Sequence, residues 1–240
     1  MKTAPMCLTQ VKGTIARGFD NAAIEKPQLP LENNMKTALT LSVAIAAALA
    51  LPLSASAHEA GDLIVRFGAH NVAPDSDNGS LAAGTLEVDV DNSIRPTVML
   101  EYMINRSLGV EVIAALPFQH DISLNGAHAG STKHLPPTVS LQWHFNPAGK
   151  FQPFIGAGLN YTTFFSEKSA GPIAGTDLEL DDSWGLALHA GFDVKINDKW
   201  MWGADVRWID IDTDVSVNGA DVGTANIDPI VYGVFVGYRF

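Results

Sequence analysis

The stretch 228–240 constrains the fold of this chain more than any other. Aromatic and aliphatic side chains occupy every second position from Ile230 to Phe240, and the positions between them hold small, mixed or charged residues. Successive side chains of a β-strand point to opposite faces. One face of this strand is therefore wholly apolar and the other partly polar. That pattern is typical of a strand with lipid outside and a polar lumen inside.

Seven further segments alternate in the same way. The sequence thus predicts eight strands, at residues 62–71, 96–104, 107–118, 135–145, 151–165, 184–195, 200–208 and 228–240. Short turns at 105–106, 146–149 and 197–199 alternate with long polar loops at 74–93, 119–133, 166–182 and 215–228. We therefore predict an all-β fold, an eight-stranded antiparallel transmembrane β-barrel with short periplasmic turns and longer extracellular loops. Residues 84–91 alternate too, which predicts a hairpin extending beyond the membrane.

A soluble eight-stranded barrel of the lipocalin type is the alternative, and it would keep its long apolar side chains inside. The aromatic residues favour the membrane barrel, because Tyr and Trp prefer the membrane interface. Most of them fall near strand ends on the apolar face: Tyr102, Phe118, Trp143, Phe145, Tyr161, Trp184, Trp200, Trp202, Trp208, Tyr238 and Phe240.

The N-terminal region predicts export. Residues 35–57 have a basic start, a short Ala-rich apolar run and the small-x-small sequence that ends at Ala57, which are the three parts of a signal peptide. We expect cleavage near Ala57, an outer-membrane barrel over 58–240, and a mis-assigned or extended N-terminus over 1–34. Cys7, the only cysteine, falls in that leader, so the mature chain is expected to lack disulfides and thiolate metal sites.

The charge of the mature part argues against nucleic-acid partners. Five of the 15 Lys and Arg and three of the 26 Asp and Glu precede residue 58, so residues 58–240 are more acidic than the whole chain, whose formal charge is −11. Nucleic acids are bound mainly through Lys and Arg. No stretch is apolar enough for a membrane helix, so any membrane role is expected to come from strands.

Several motifs together resemble the OmpW family of small outer-membrane β-barrels. The resemblance spans essentially the whole mature chain and rests on residues 58–61, Pro117-Phe118 with His120, 135–138, 153–165, 182–185, 209–213, 228–229 and 237–240. It implies an eight-stranded barrel with a largely hydrophobic channel that is associated with the passage of small hydrophobic molecules, and some relatives serve alkane uptake. We expect no cofactor and no enzymatic activity.

Charged side chains on the inward face predict a closed floor. The set contains four of each sign, which suits mutual pairing: Arg66, Lys195, Arg207 and Arg239 with Glu101, Glu111, Asp193 and Asp205. Eight strands leave an interior about wide enough for side chains to fill, and unpaired buried charge is costly. Most of these residues lie in the half nearer the short turns. We therefore interpret them as a salt-bridge floor rather than a polar pore.

The opposite half predicts an apolar mouth open to the outside, formed by Met99, Ala115, Phe164, Pro136 and Pro137. A hydrophobic solute blocked by the floor would leave sideways through the barrel wall into lipid. The phase of the seventh strand is expected to shift at 209–212, and three prolines lack the backbone donor that a neighbouring strand would bind. Pro74, Pro96 and Pro229 are thus candidates for a lateral gap, or they simply end strands at the loops.

Other sites and functions remain as alternatives. His120, His128 and His134 share one loop and could bind a metal, although no metal is expected, and the acidic loop runs could hold cations near lipopolysaccharide phosphates. Ser140, His144 and His189 face inward and are the candidates for a lipid-modifying hydrolase. A receptor or adhesin acting through its loops, or a structural barrel without transport, is the third class. Expected partners are membrane lipid, lipopolysaccharide, small hydrophobic solutes and, through Tyr238 and Phe240, the barrel-insertion machinery.

Overall fold

The computed structural model describes residues 58–240, so the predicted leader and signal peptide lie outside the described residues. The described part contains one short 3-10 helix at Gly171–Ile173 and fifteen strands. The strands are β1 (Leu63–Ala73), β2 (Ser80–Leu81), β3 (Leu86–Val90), β4 (Ser93–Met103), β5 (Leu108–Ala115), β6 (Phe118–Leu124), β7 (Ala127–Leu135), β8 (Thr138–His144), β9 (Phe151–Ser169), β10 (Leu178–Leu180), β11 (Ser183–Lys195), β12 (Trp200–Ile209), β13 (Asp212–Val217), β14 (Ala220–Asn226) and β15 (Ile230–Arg239).

Eight of these strands close into an antiparallel barrel, so the predicted fold class is confirmed. The order around the wall is β1, β4, β5, β8, β9, β11, β12 and β15, and β15 pairs back with β1 from Ile64↔Arg239 to Ala73↔Ile230. Closure gives every barrel strand two neighbours, which is how backbone polar groups are satisfied in lipid. Between residues 58 and 240, no helix has the length and apolar character needed to cross a membrane.

The outer surface of the barrel is apolar, with aromatic residues near its two rims. Trp184 is 74% exposed at one end and Phe240 is 68% exposed at the other. Phe118 is the exception among the predicted rim residues, because it is buried. The alternation that begins in β5 breaks at Pro117, so β6 starts in the opposite phase and Phe118 points inward. The predicted single strand over 107–118 is therefore wrong at its end.

The four segments predicted as long loops consist largely of strands, so this prediction is wrong. The long strand β9 continues past the barrel, and the hairpin β6–β7 adds to its outer half, with Leu135 opposite Thr163. β3 pairs with β6 and β2 with β3, while β10, β13 and β14 form a separate three-stranded sheet. We call this extracellular set (β2, β3, β6, β7, β10, β13, β14 and the end of β9) the vestibule.

Two Asn-Gly turns explain why the vestibule hairpins form. Asn125-Gly126 joins β6 to β7 and Asn218-Gly219 joins β13 to β14, and all four residues have positive φ, between 48° and 76°. Positive φ at both central residues matches the twist of a two-residue hairpin, and Asn-Gly is the sequence that tolerates it best. Each turn therefore fixes the register of two strands outside the membrane.

The interior changes from polar to apolar along the barrel axis. The alternation of β12 continues without a break, so Arg207, Ile209, Ile211 and Thr213 all point inward. The predicted phase shift at 209–212 is wrong: the facing stays the same, and only the side-chain chemistry changes. On the extracellular side of Arg207 the inward residues pack into an apolar cluster, here called the waist. It contains Val72, Phe118, Phe164, Ala187, Ile209, Ile211, Ile227 and Val231.

Candidate functional site

The part of the lumen on the periplasmic side of the waist, here called the lower lumen, holds a connected network of buried ion pairs. The Arg66 guanidinium lies 2.7 Å from Asp193 Oδ2 and 2.8 Å from Glu101 Oε2. The second guanidinium, of Arg207, lies 2.8 Å from Glu111 Oε1 and 2.6 Å from Asp205 Oδ2. All six side chains are at most 1% exposed. The structure thus brings together six of the eight residues predicted for the floor.

The other two predicted floor residues lie nearer the short turns. The Lys195 ammonium donates to the Pro147 carbonyl at 3.3 Å. The Arg239 guanidinium lies 3.5 Å from Asp62 Oδ2, in a partly exposed pair. The side chain of His58 is fully buried at this end, with its ring centroid 5.0 Å from that of His144.

Two histidines complete the network and were not predicted as part of the floor. His70 Nε2 lies 2.8 Å from Asp205 Oδ1, and His144 Nε2 lies 2.8 Å from Glu101 Oε1. Each ring nitrogen contacts a carboxylate, so it donates the hydrogen bond. The inward phase of these histidines, on strands that also carry charged residues, was the available signal. The network therefore includes two arginines, four carboxylates and two histidines.

Above the waist, the vestibule encloses an apolar cavity of about 200 Å³. Its walls come from β2, β3, β6, β7, β9, β10, β13 and β14, and the only polar side chains among its lining residues are His120, Thr132, His134 and Thr213. Leu86, Ile173 and Val222 at its margin are half-buried. The apolar lining is Leu81, Leu86, Val88, Val90, Ile122, Leu124, Ala129, Phe164, Ile173, Leu178, Leu180, Val215, Val217, Val222, Ala225 and Ile227.

The residues predicted for the mouth fall at three different heights. Phe164 lines the vestibule cavity. Ala115 and Pro136 line a second, smaller cavity of about 20 Å³ below the waist, together with Phe118. Met99 packs lower still, against Ile113, Phe154 and Phe235. Pro137 belongs to the barrel wall, where its carbonyl accepts a hydrogen bond from Tyr161 N–H at 3.0 Å. The apolar cavity on the extracellular side is built mainly from the vestibule strands, which were predicted to be loops.

The barrel wall is interrupted beside the smaller cavity. Pairing of β5 with β8 ends at Ile113↔Thr138, and pairing of β6 with β7 begins at Phe118↔His134. Residues 114–117 and 135–137 lie between these pairs and do not pair with each other across this seam. Pro117, Pro136 and Pro137 lack backbone donors. Ala114, which is exposed on the outer face of the wall, is one of the residues that line the smaller cavity, so the cavity adjoins this seam.

The prolines predicted for a lateral gap lie at continuous seams. Pro96 is paired opposite Ala69 in an unbroken β1–β4 ladder, and its carbonyl accepts from Leu116 N–H at 3.1 Å. The Pro229 carbonyl accepts from Ile209 N–H at 3.3 Å. Pro74 follows the end of β1, where the next residue, Asp75, donates its N–H to Ile227. The interruption is thus at other prolines, because the missing donors at Pro96 and Pro229 do not remove the pairing of neighbouring residues.

Two of the three predicted metal-binding histidines meet at the base of the vestibule cavity. The ring centroids of His120 and His134 are 4.8 Å apart, whereas His128 is exposed near the tip of the hairpin. Desolvation on burial lowers the pKa of His134 to about 3 and also lowers that of His120. The carboxylates of Asp210, Asp212 and Asp228 are the one described group close enough to share a cation, and two of them already accept hydrogen bonds from the chain.

The predicted hydrolase residues do not form a nucleophile–base pair. Ser140 Oγ is buried and makes no hydrogen bond to any residue in the described range 58–240. His144 contacts Glu101, and His189 Nε2 lies 3.0 Å from Gln142 Oε1. A serine nucleophile needs its base within hydrogen-bond reach, so the geometry gives no support to this alternative.

Comparison with known proteins agrees with the geometry. The model of the OmpW family matches residues 59–240. Outer membrane protein W of Vibrio cholerae is 41% identical over 197 residues, which cover 77% of this chain and 91% of that protein. Outer membrane protein W of Escherichia coli is 38% identical over 205 residues, which cover 82% and 97%. The crystal structure of OprG from Pseudomonas aeruginosa matches with a TM-score of 0.68 and 35% identity, over 77% of this chain and 98% of that chain. The chain belongs to the OmpW family of outer-membrane β-barrel proteins.

Proposed function

We propose that this protein passes small hydrophobic molecules from outside into the outer membrane, by way of the vestibule cavity and the interrupted seam of the barrel wall. The observation that carries the proposal is the coincidence of two changes at one height. The lumen turns from apolar to ionic just below the waist, and the wall loses its pairing between β5 and β8 at the same level.

The ionic network makes passage straight through the barrel unfavourable. A hydrophobic solute moving past Arg66 and Arg207 would have to separate ion pairs that are fully buried. Removing the partner of a buried charge typically costs about 3–5 kcal/mol, and a hydrocarbon offers no replacement hydrogen bonds. The path of lowest cost therefore ends above the network.

The interrupted seam offers the alternative exit. The carbonyl groups beside it are already satisfied elsewhere: Pro117 O accepts from Arg95 Nε at 2.9 Å and Pro136 O from Asn160 Nδ2 at 3.1 Å. Opening the seam thus breaks few hydrogen bonds. Small or apolar side chains (Ala114, Ala115 and Leu116) flank it, and exposed Leu116 faces the lipid. A solute leaving here moves from an apolar cavity into an apolar solvent.

The test is uptake of N-phenyl-1-naphthylamine, which fluoresces in lipid, by vesicles with a lipopolysaccharide outer leaflet. Ala115→Phe fills the inner side of the seam and is expected to lower the protein-dependent rate several-fold. Ala69→Phe is the matched control, because Ala69 faces outward in a fully paired seam, and it should leave the rate unchanged. Equal rates with and without the protein would rule out a conduit. Equal rates for the wild type and Ala115→Phe would rule out this exit.

A further inference from the structure

One stretch of the wall around the vestibule cavity is not a strand. Residues 170–177 join β9 to β10 and contain the 3-10 helix at Gly171–Ile173. Ile173 is the residue of this stretch whose side chain lines the cavity. The residues on both sides of it, at 171–172 and 174–175, are exposed. This part of the wall therefore presents one apolar side chain to the cavity and its neighbours to water.

The hydrogen bonds of this stretch are local. Ile173 N–H donates to the Ala170 carbonyl at 3.1 Å. The Ile173 carbonyl in turn accepts from both the N–H and the hydroxyl of Thr176, at 3.1 and 2.7 Å. Within the described range 58–240, residues 171–175 form hydrogen bonds only with one another, with Ala170 and with Thr176. Displacing them outward therefore breaks no pairing between strands.

Both ends of the stretch are fixed, and a glycine lies just inside each end. At one end, Ala170 N–H donates to a carbonyl of β7 at 2.7 Å. At the other end, Asp177 N–H donates to Asn218 Oδ1 at 2.9 Å, and Asn218 N–H donates back to the Asp177 carbonyl at 2.7 Å. Gly171 and Gly175 have φ values of 49° and 82°, which glycine adopts without a steric penalty. The backbone can therefore turn at two points between fixed ends.

We propose that residues 171–175 are a lid on the vestibule cavity, with Gly171 and Gly175 as its hinges. Ile173 is the side chain that closes the opening, and Thr176 is the latch that holds Ile173 in place. The lid rests on the proposed conduit, because it controls the entry of solutes into the same cavity. A lid residue that does not touch the ligand changes the rates of entry and exit by the same factor, so the dissociation constant stays unchanged.

The test measures the exchange of fluorobenzene between the cavity and its surroundings by ¹⁹F NMR on the full protein in nanodiscs. The cavity of about 200 Å³ is large enough, since apolar cavities of roughly 150 Å³ bind benzene. Thr176→Val removes one hydrogen bond of the closed lid, so both rates should rise about fivefold at an unchanged dissociation constant. Thr85→Val is the matched control, because Thr85 Oγ1 donates to the Ala82 carbonyl at 2.8 Å with the same three-residue spacing. It should leave both rates unchanged.

A second variant and a wild-type measurement complete the test. Ile173→Ala removes the closing side chain and should also raise both rates. In the wild-type protein, the Ile173 amide should exchange with solvent about tenfold faster than the amides of β9, because the lid opens locally. Equal protection of these amides would overturn the proposal, as would wild-type rates in both lid variants, equal acceleration in Thr85→Val, or no bound fluorobenzene. Faster fluorobenzene exchange in the lid variants without any protein-dependent uptake of N-phenyl-1-naphthylamine would retain the lid and reject the conduit instead.

Discussion

The lower lumen and the vestibule are two interiors of one protein, built by opposite means. The lower lumen is filled by long charged side chains whose neighbours make room for them: a Cβ at Gly237 would lie 3.1 Å from Arg66 Cγ. The vestibule is lined mainly by aliphatic side chains and retains a cavity of about 200 Å³. The lower lumen is filled because each buried charge needs a partner of opposite charge in contact with it. An apolar lining has no such requirement, so it can surround an empty cavity. The closed end and the open end are therefore set by inward side chains on different sets of strands.

The largest effect is expected from removing a central charge of the lower lumen. Arg66→Met leaves Asp193 and Glu101 buried without their guanidinium partner, so the free energy of unfolding should fall by about 3–5 kcal/mol. Urea unfolding in detergent micelles measures this change. Arg106→Gln, in an exposed turn, is the control and should behave as wild type. An Arg66→Met barrel as stable as wild type would show that the network is not what fills the lower lumen.

The second prediction removes the waist that separates the two cavities. Phe164→Ala deletes a buried ring that touches both the vestibule cavity and the waist, so it should cost about 3 kcal/mol and raise probe uptake several-fold. Phe235→Ala removes an equal ring from the lower lumen and should cost stability without raising uptake. A gain of uptake in Phe235→Ala alone would place the conduit in the lower lumen.

The third prediction concerns pH and the vestibule alone. A histidine whose folded-state pKa lies below its unfolded value of 6.5 favours folding only while it is neutral, so stability is lost as pH falls below 6.5 towards about 3. The His134 ring signals should therefore not titrate between pH 8 and pH 5, while the protection factors of the β6 and β7 amides, corrected for the intrinsic exchange rate, fall as the solution becomes acidic. A midpoint for His134 near 6.5 would contradict its burial.

The smallest effect is expected at the vestibule turns. Gly219 has a φ of 74°, so Gly219→Ala strains one residue by about 1 kcal/mol and should quicken amide exchange only in β13 and β14. Gly126→Ala is the reciprocal control and should affect only β6 and β7. Loss of protection in the barrel strands from either change would mean that the vestibule is not a separate unit of stability.

The barrel was predictable from sequence because each of its strands has lipid on one face, which makes period-2 alternation strict. The same rule placed Arg66, Glu101, Glu111, Asp193, Asp205 and Arg207 inward, where the structure pairs them. The partners of each charged residue were not predictable from sequence. His70 and His144, for example, join the ion-pair network by hydrogen bonds to carboxylates on strands that are distant in sequence.

The vestibule strands were not predicted from the sequence, because their outer face is exposed to water rather than to lipid. Its strands carry polar residues at every second position and read as loops, although Ile122 and Leu124, or Val215 and Val217, alternate inward. The Asn-Gly pairs at 125–126 and 218–219 were the signal that could have found both hairpins. The position of the interrupted seam was not predicted for a different reason. A proline interrupts the pairing of two strands only where the neighbouring residues also lack cross-strand partners, as at Pro117, Pro136 and Pro137.

The 19-residue strand β9 runs through the barrel wall and on into the vestibule. Its inner half pairs with β8 and β11, and its outer half supplies the edge to which β7 adds. This continuity implies an order of assembly. The outer half of β9 is available to β7 only where it projects beyond the barrel wall, so we expect the barrel strands to pair before the vestibule strands. We therefore expect the vestibule cavity to be the last part of residues 58–240 to be completed.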